Sequence, residues 1–128
     1  MTLLDAHAFV WLASDQNALS PAALGAIKKD RESLFISVVT CWEIALLHKK
    51  GRLLLPLPPN EFVEKAALHH GVQDLPLTRE IAMAAVALPE IHNDPFDRIL
   101  VAEALHHGCR LVTKDETIPL YPGVKAVW

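Results

Sequence analysis

His92-Asn93-Asp94-Pro95-Phe96-Asp97-Arg98-Ile99-Leu100-Val101-Ala102-Glu103-Ala104 joins an acidic turn directly to an apolar helix, and the rest of the chain is read outward from it. Asp94 is a good N-cap because a short carboxylate can accept from the unpaired N–H groups of a first helical turn. Pro95 suits the first helical position, where no N–H is needed. Asp97 falls one turn later, so two carboxylates stand at one helix N-terminus; capping and the helix dipole account for either of them taken alone.

Behind this helix, which ends at His106-His107-Gly108, Cys109-Arg110-Leu111-Val112-Thr113 reads as a strand, and Val124 to Trp128 as a further short one. Ahead of it, Thr78-Arg79-Glu80 starts a helix that continues to about Leu88, after Val72-Gln73-Asp74-Leu75-Pro76, which reads as an edge strand because of its proline. Met1-Thr2-Leu3-Leu4-Asp5 is a strand ending in an acid, followed by a helix over Ala6–Ala13. Ser20-Pro21 starts a helix to about Lys29, and Ser33–Val38 has the β-branched and aromatic character of a buried strand. A helix from Val39 or Thr40 to Lys50 and another from Asn60 to His70 flank a rigid connection at Pro56, Pro58 and Pro59. Strands alternating with helices require crossover connections, so the expected class is α/β: three layers, with helices on both faces of a mostly parallel sheet of four or five strands.

Three helices end alike, at His48-Lys49-Lys50-Gly51, His69-His70-Gly71 and His106-His107-Gly108. Basic residues favour the negative end of the dipole, and neighbouring histidines on a helix point about 100° apart, so these pairs are helix ends and not metal ligands.

At 128 residues, with 52% hydrophobic and 21% charged, the chain is expected to form one domain over 1–128 with a real core. No apolar run reaches the ~20 residues of a bilayer span, so a cytoplasmic protein with no membrane association is expected. Cys41 and Cys109 lack C-x-x-C spacing and are expected as buried free thiols. A net charge of −3 gives no general attraction to nucleic acid, so an RNA or DNA partner must be held by a local basic patch or through bound cations.

The acids Asp5, Glu43, Asp94, Asp97 and Asp115 each fall just after a strand or in a first helical turn. Each has a local explanation: Asp5 as a cap, Thr40-x-x-Glu43 as a capping box, Asp115 as a side-chain turn. In a parallel sheet, however, strand C-termini and the following helix N-termini share one edge, which is also where ligands bind. Caps alone therefore gather these acids. His7, Lys114 and Arg98 are the nearest cationic candidates in sequence, and without something positive among them the carboxylates repel one another. Oxygen donors without a Cys or His cluster favour magnesium or manganese over zinc. Such a site can activate water and stabilise the charge that builds on a phosphodiester, which suggests hydrolysis of a nucleic-acid backbone.

Leu3-Leu4-Asp5, Glu43 in an early helix, the D-P-F-D-R-x-L-x-A-x-A run from Asp94 to Ala104, and Leu111-Val112-Thr113-Lys114-Asp115 together resemble PIN-domain ribonucleases, specifically the VapC-type toxins of toxin–antitoxin pairs. The resemblance covers nearly the whole chain. It implies a PIN-like α/β/α fold and a metal-dependent endoribonuclease whose acidic quartet is Asp5, Glu43, Asp97 and Asp115, binding Mg2+ or Mn2+ and leaving a 5′-phosphate and a 3′-hydroxyl. Asp94 is accessory, and Thr113 matches a small hydroxyl position that could orient a water or simply belong to its strand. The resemblance also implies a small antitoxin that covers the acidic site, and a homodimer built from helices.

Substrate contacts are less marked. Lys49, Lys50 and Arg52 form the densest basic cluster and are either phosphate contacts or a solvated helix end; Phe9, Trp11 and Trp42 are either base-stacking platforms or core and interface. Two rival classes stand beside the nuclease. A phosphotransfer domain needs an acidic pair at the first strand or an acid at the position of His7, and neither pattern is met. A PIN-like domain that binds RNA or protein without cutting it stays open.

Overall fold

The computed structural model describes residues 1–128, arranged as five strands and six α-helices. In chain order these are β1 (Thr2–Leu4), α1 (Ala6–Ser14), α2 (Pro21–Lys29), β2 (Leu34–Ser37), α3 (Val38–Lys49), α4 (Pro59–His70), β3 (Val72–Leu75), α5 (Arg79–Ala87), α6 (Pro95–His107), β4 (Arg110–Val112) and β5 (Lys125–Val127). All strand pairs are parallel, in the order β3-β2-β1-β4-β5, which makes the proline-flanked β3 an edge strand as expected.

β1 is the centre of the sheet, with Leu4 in register with Ile36 on one side and Val112 on the other. Strand alternation sends neighbouring residues to opposite faces. Leu4 therefore joins Phe9, Ile27, Ile36, Ile44, Phe62 and Val112 in one buried cluster, beneath α1, α2, α3 and α4. Leu3 joins Leu100, Val101, Ala104, Leu111 and Tyr121 in a second, beneath α6. α5 packs on the outside of α6 through Ile81 and Ala85 against Ala102. Helices on both faces of a parallel sheet make the three-layer α/β/α architecture. No helix is long and apolar enough to cross a membrane.

The helix starts are built largely as the sequence suggests. Asp94 accepts from the N–H of Phe96 at 2.9 Å, with Pro95 opening α6, and Asp5 accepts from Ala8 at 2.8 Å to cap α1. Gly71 and Gly108 end α4 and α6 in the left-handed conformation, φ 67° and 62°. One start differs. α3 begins directly at Val38, and Ser37, the last residue of β2, accepts from the N–H of Val39 at 3.1 Å. Thr40 and Glu43 thus form no capping box: Thr40 is buried inside the first turn with its hydroxyl unpartnered, and Glu43 lies further along the helix. Without a loop after β2, the cap moves back three residues, from Thr40 to Ser37.

Candidate active site

In the strand order β3-β2-β1-β4-β5 the chain passes from β1 to β2 on one side and comes back to β4 on the other. The carboxyl ends of β1 and β4 therefore flank a topological switch point, where the loops diverge and leave a crevice. Asp5 follows β1 directly, its N–H donating to the carbonyl of Val112 at 3.1 Å, and Asp115 lies three residues past β4. Glu43 on α3 and Asp94 and Asp97 at the start of α6 face the same crevice. The five acids line one cleft of about 400 Å³ together with His7, Trp11 and Lys114.

The carboxyls in this cleft are unequal. Burial pushes Glu43 up to about 7, with Asp97, Asp94 and Asp5 adding repulsion. Asp97 is likewise raised to about 7, first by burial and then by Asp94, partly offset by His92. Asp5 is raised by burial, while the Thr113 hydroxyl and the Ala8 N–H oppose the rise. Asp115 ends below the ordinary range. Burial pushes it up, but His92 and the N–H groups of Thr117 and Ile118, donating at 2.7 and 3.1 Å, outweigh that. Several carboxylates in one desolvated crevice cannot all ionise without a compensating positive charge. The donors are mostly hard oxygens, of the kind that hold a small divalent cation, so the residues fit such an ion.

Two charged residues are placed otherwise than their sequence position suggests. Arg98 turns away from the acids, and its guanidinium donates to the carbonyls of Ala85, Leu88 and Pro89 at 2.9–3.0 Å and of Val86 and His92 at 3.2–3.3 Å. The last turn of α5 leaves carbonyls without helical N–H partners there, and the guanidinium satisfies them. Conversely, His92 enters the site, its Nε2 lying 3.1 Å from both Asp97 Oδ2 and Asp115 Oδ2. His92 Nε2 and one oxygen each of Asp97 and Asp115 thus lie within 4.8 Å of one another. A histidine two residues ahead of an N-cap is the sequence signal, weak because nothing in its spacing points it toward Asp115.

Thr113 is buried, its hydroxyl accepting from the N–H of Asp115 at 3.1 Å and facing Asp5, so it joins the two strand-end acids. Lys114 stands 5.7 Å over the Trp11 ring, which packs on Trp128 and His7 at the edge of the cleft. Phe9 is core, whereas Trp42 is 65% exposed and meets Phe96 edge-on. Lys50 and Arg52 line a second groove of about 430 Å³ that shares Glu43 and Asp94 with the acidic cleft; Lys49 lies outside it. Both thiols are free, and burial together with Asp74 pushes Cys41 up to about 11, which makes it a poor nucleophile. Further along α6, Glu103 is fully buried and neither of its oxygens makes a hydrogen bond of normal geometry. Burial raises it to about 7, with only the Ser37 hydroxyl opposing the rise.

The model of the PIN domain family matches residues 2–123. The chain belongs to the PIN-domain family. Ribonuclease VapC22 of Mycobacterium tuberculosis is 36% identical to this PIN-domain chain over 98% of its length and 97% of the relative's. Among solved structures, a toxin–antitoxin complex from Klebsiella pneumoniae matches with a TM-score of 0.65 and 23% identity, covering 97% of this chain and 95% of that one. VapBC2 from Rickettsia felis, bound to a DNA fragment from its promoter, matches with a TM-score of 0.69 and 11% identity over 98% and 96%. At these identities the two structures speak for the fold alone.

Proposed function

We propose that this PIN-domain protein is an endoribonuclease that hydrolyses RNA phosphodiester bonds with the help of Mg2+ or Mn2+, and that it is the toxin of a toxin–antitoxin pair. The observation that carries the reading is the meeting of Asp5, Glu43, Asp97 and Asp115 in one desolvated cleft at the β1/β4 switch point. The 36% identity to a VapC ribonuclease supports the same substrate. Asp5, Asp97 and Asp115 would hold the cation. When bound, that ion supplies a water of lowered pKa and neutralises the charge that builds on the phosphodiester.

The chain's own residues do the rest. Glu43 lines both the acidic cleft and the adjoining groove, a place from which it either helps hold the ion or takes the proton of the attacking water. Lys50 and Arg52 in that groove offer charge to RNA phosphates on their way to the cleft. Asp94 caps α6 and closes the wall between the two spaces. Attack by water is expected to leave a 5′-phosphate and a 3′-hydroxyl. Residues 1–128 act as one catalytic domain in this reading. Its partner is a small antitoxin that offers a basic side chain to the uncompensated carboxylates. A homodimer would be built from helix faces such as the one exposing Met83 and Val86 on α5.

The test is incubation of the purified protein with total cellular RNA and with a labelled single strand, in Mg2+, Mn2+ or chelator. Cleavage that needs the cation and yields 5′-phosphate ends is expected. RNA that is bound and left intact under every condition would establish the non-catalytic alternative.

A further inference from the structure

His92 is held through its backbone N–H, its carbonyl and its ring Nδ1. Its backbone N–H donates to the Tyr121 hydroxyl at 2.8 Å, its carbonyl accepts from Arg98 at 3.3 Å, and its ring Nδ1 accepts from the N–H of Asp94 at 3.1 Å. Arg98 fixes the same loop through the carbonyls of Leu88 and Pro89, and it also reaches the Tyr121 hydroxyl at 3.4 Å. The ring is thus oriented by its own surroundings before the acids are considered.

The Asp94 bond has a chemical consequence. A backbone N–H can only donate, so Nδ1 presents its lone pair, and the proton of the ring sits on Nε2. Nε2–H then donates to Asp115 Oδ2 at 3.1 Å, and Asp97 Oδ2 stands at the same distance from Nε2 without being its hydrogen-bond acceptor. For Nε2 to ligate a cation, its proton would have to move to Nδ1, which would set an N–H against the N–H of Asp94. The other side of Asp115 is also spoken for, because Oδ1 accepts from Thr117 and Ile118.

We infer that His92 is a positioning residue of the cation site: its Nε2–H, oriented through Nδ1 by the N–H of Asp94, holds Asp115 beside Asp97 from outside the ion's own coordination. The bond fixes Asp115, and the positive end of the same N–H dipole stands 3.1 Å from Asp97 Oδ2 and eases the repulsion between the two carboxylates. Each oxygen has a second lone pair, so the donor leaves room for an ion. Hydrogen-bond donors behind metal-binding carboxylates set their direction, and their loss lowers affinity on the order of 10- to 100-fold. This inference rests on the cation-dependent reading above.

Two measurements test it. In the metal-free wild-type protein, long-range 15N–1H NMR should show His92 as the Nε2–H tautomer; an Nδ1–H tautomer would overturn the inference, and this readout needs neither an ion nor a variant. Mn2+ binding, followed by electron paramagnetic resonance, should show no directly coordinated nitrogen in the wild type. Affinity should drop on the order of 10- to 100-fold in His92→Ala and return toward the wild-type value in His92→Gln, which restores an N–H donor. A directly bound nitrogen, or His92→Ala taking up Mn2+ as tightly as wild type, would refute the positioning role. If wild type shows the Nε2–H tautomer but binds no Mn2+, the cation-dependent function fails and takes this inference with it, while the hydrogen-bond arrangement stands.

Discussion

β1 and β4 run side by side, and acids stand at both ends of the pair under opposite conditions. At the amino end, Asp30 Oδ2 receives the Met1 amine at 3.2 Å, the Thr2 hydroxyl at 2.7 Å and the Arg110 guanidinium at 2.7 Å. Thr2 first, and then Arg110, hold its carboxyl well below the usual carboxylate range. At the carboxyl end, Glu43 and Asp97 are buried among other acids and raised to about 7. One end completes its charges within the chain. The other leaves them to be completed from outside, and an incomplete site is one that can bind an ion, a substrate or an inhibitor. Neighbouring strands can thus carry a structural lock at one end and a functional centre at the other.

The difference can be broken first at the cleft. Asp97→Asn should lower RNA cleavage on the order of 100- to 1000-fold while the metal-free variant melts no earlier than wild type, because a raised carboxyl has been removed and not a stabilising one. Cleavage assays paired with thermal melts check this; wild-type cleavage would remove Asp97 from the site.

Glu103 sharpens the contrast, being fully buried with no cation beside it and only the Ser37 hydroxyl acting on it. Its shift from an ordinary 4.5 to about 7 means that the folded state keeps a proton the unfolded chain releases. Its contribution to stability is therefore fully present below pH 4.5, falls as pH rises, and levels off above about 7, a loss on the order of 3 kcal/mol. Urea titrations of wild type and Glu103→Gln across that window should show the variant gaining on wild type by about this amount, whatever constant offset the amide adds. Parallel pH dependences would mean that Glu103 titrates normally.

The opposite sign is expected at the amino end. Asp30 has a depressed pKa, so its contribution is present above the ordinary 3.8 and is lost as pH falls below it. Asp30→Asn should lower the thermal midpoint at neutral pH, with the deficit shrinking in acid, and leave cleavage unchanged. A cleavage defect would show that the two ends are coupled. The smallest effect is expected at the groove. Lys50→Gln combined with Arg52→Gln should flatten the salt dependence of RNA binding by about 1.4 in log–log slope, if each neutralises one phosphate of a single strand.

Much of this layout is visible in the chain before folding. Asp94-Pro95 marks its helix, the acids after β1 and β4 mark the shared edge, and alternating strands and helices give the layers. What escapes the sequence depends on contacts between distant segments. Arg98 lies beside Asp97 in sequence, yet its target is the carbonyl end of α5, and no local pattern says that α5 ends within its reach. His92 reaches Asp97 five residues along its own segment, but its bond to Asp115 exists because β4 brings that residue beside it. Thr40-x-x-Glu43 reads as a capping box because a loop is expected after a strand; here Ser37 is both the last strand residue and the cap.

The central place of β1 has one more consequence. Its neighbours are β2 and β4, so Asp5 and Asp115, more than a hundred residues apart, meet only after nearly the whole chain has been made. Pairings over such separations are slow to form, and chains emerge from the ribosome N-terminus first. A nascent or truncated polypeptide can carry every helix through α6 and still have no cleavage centre. The order of the strands thus makes completion of β4 the step that brings the acids together.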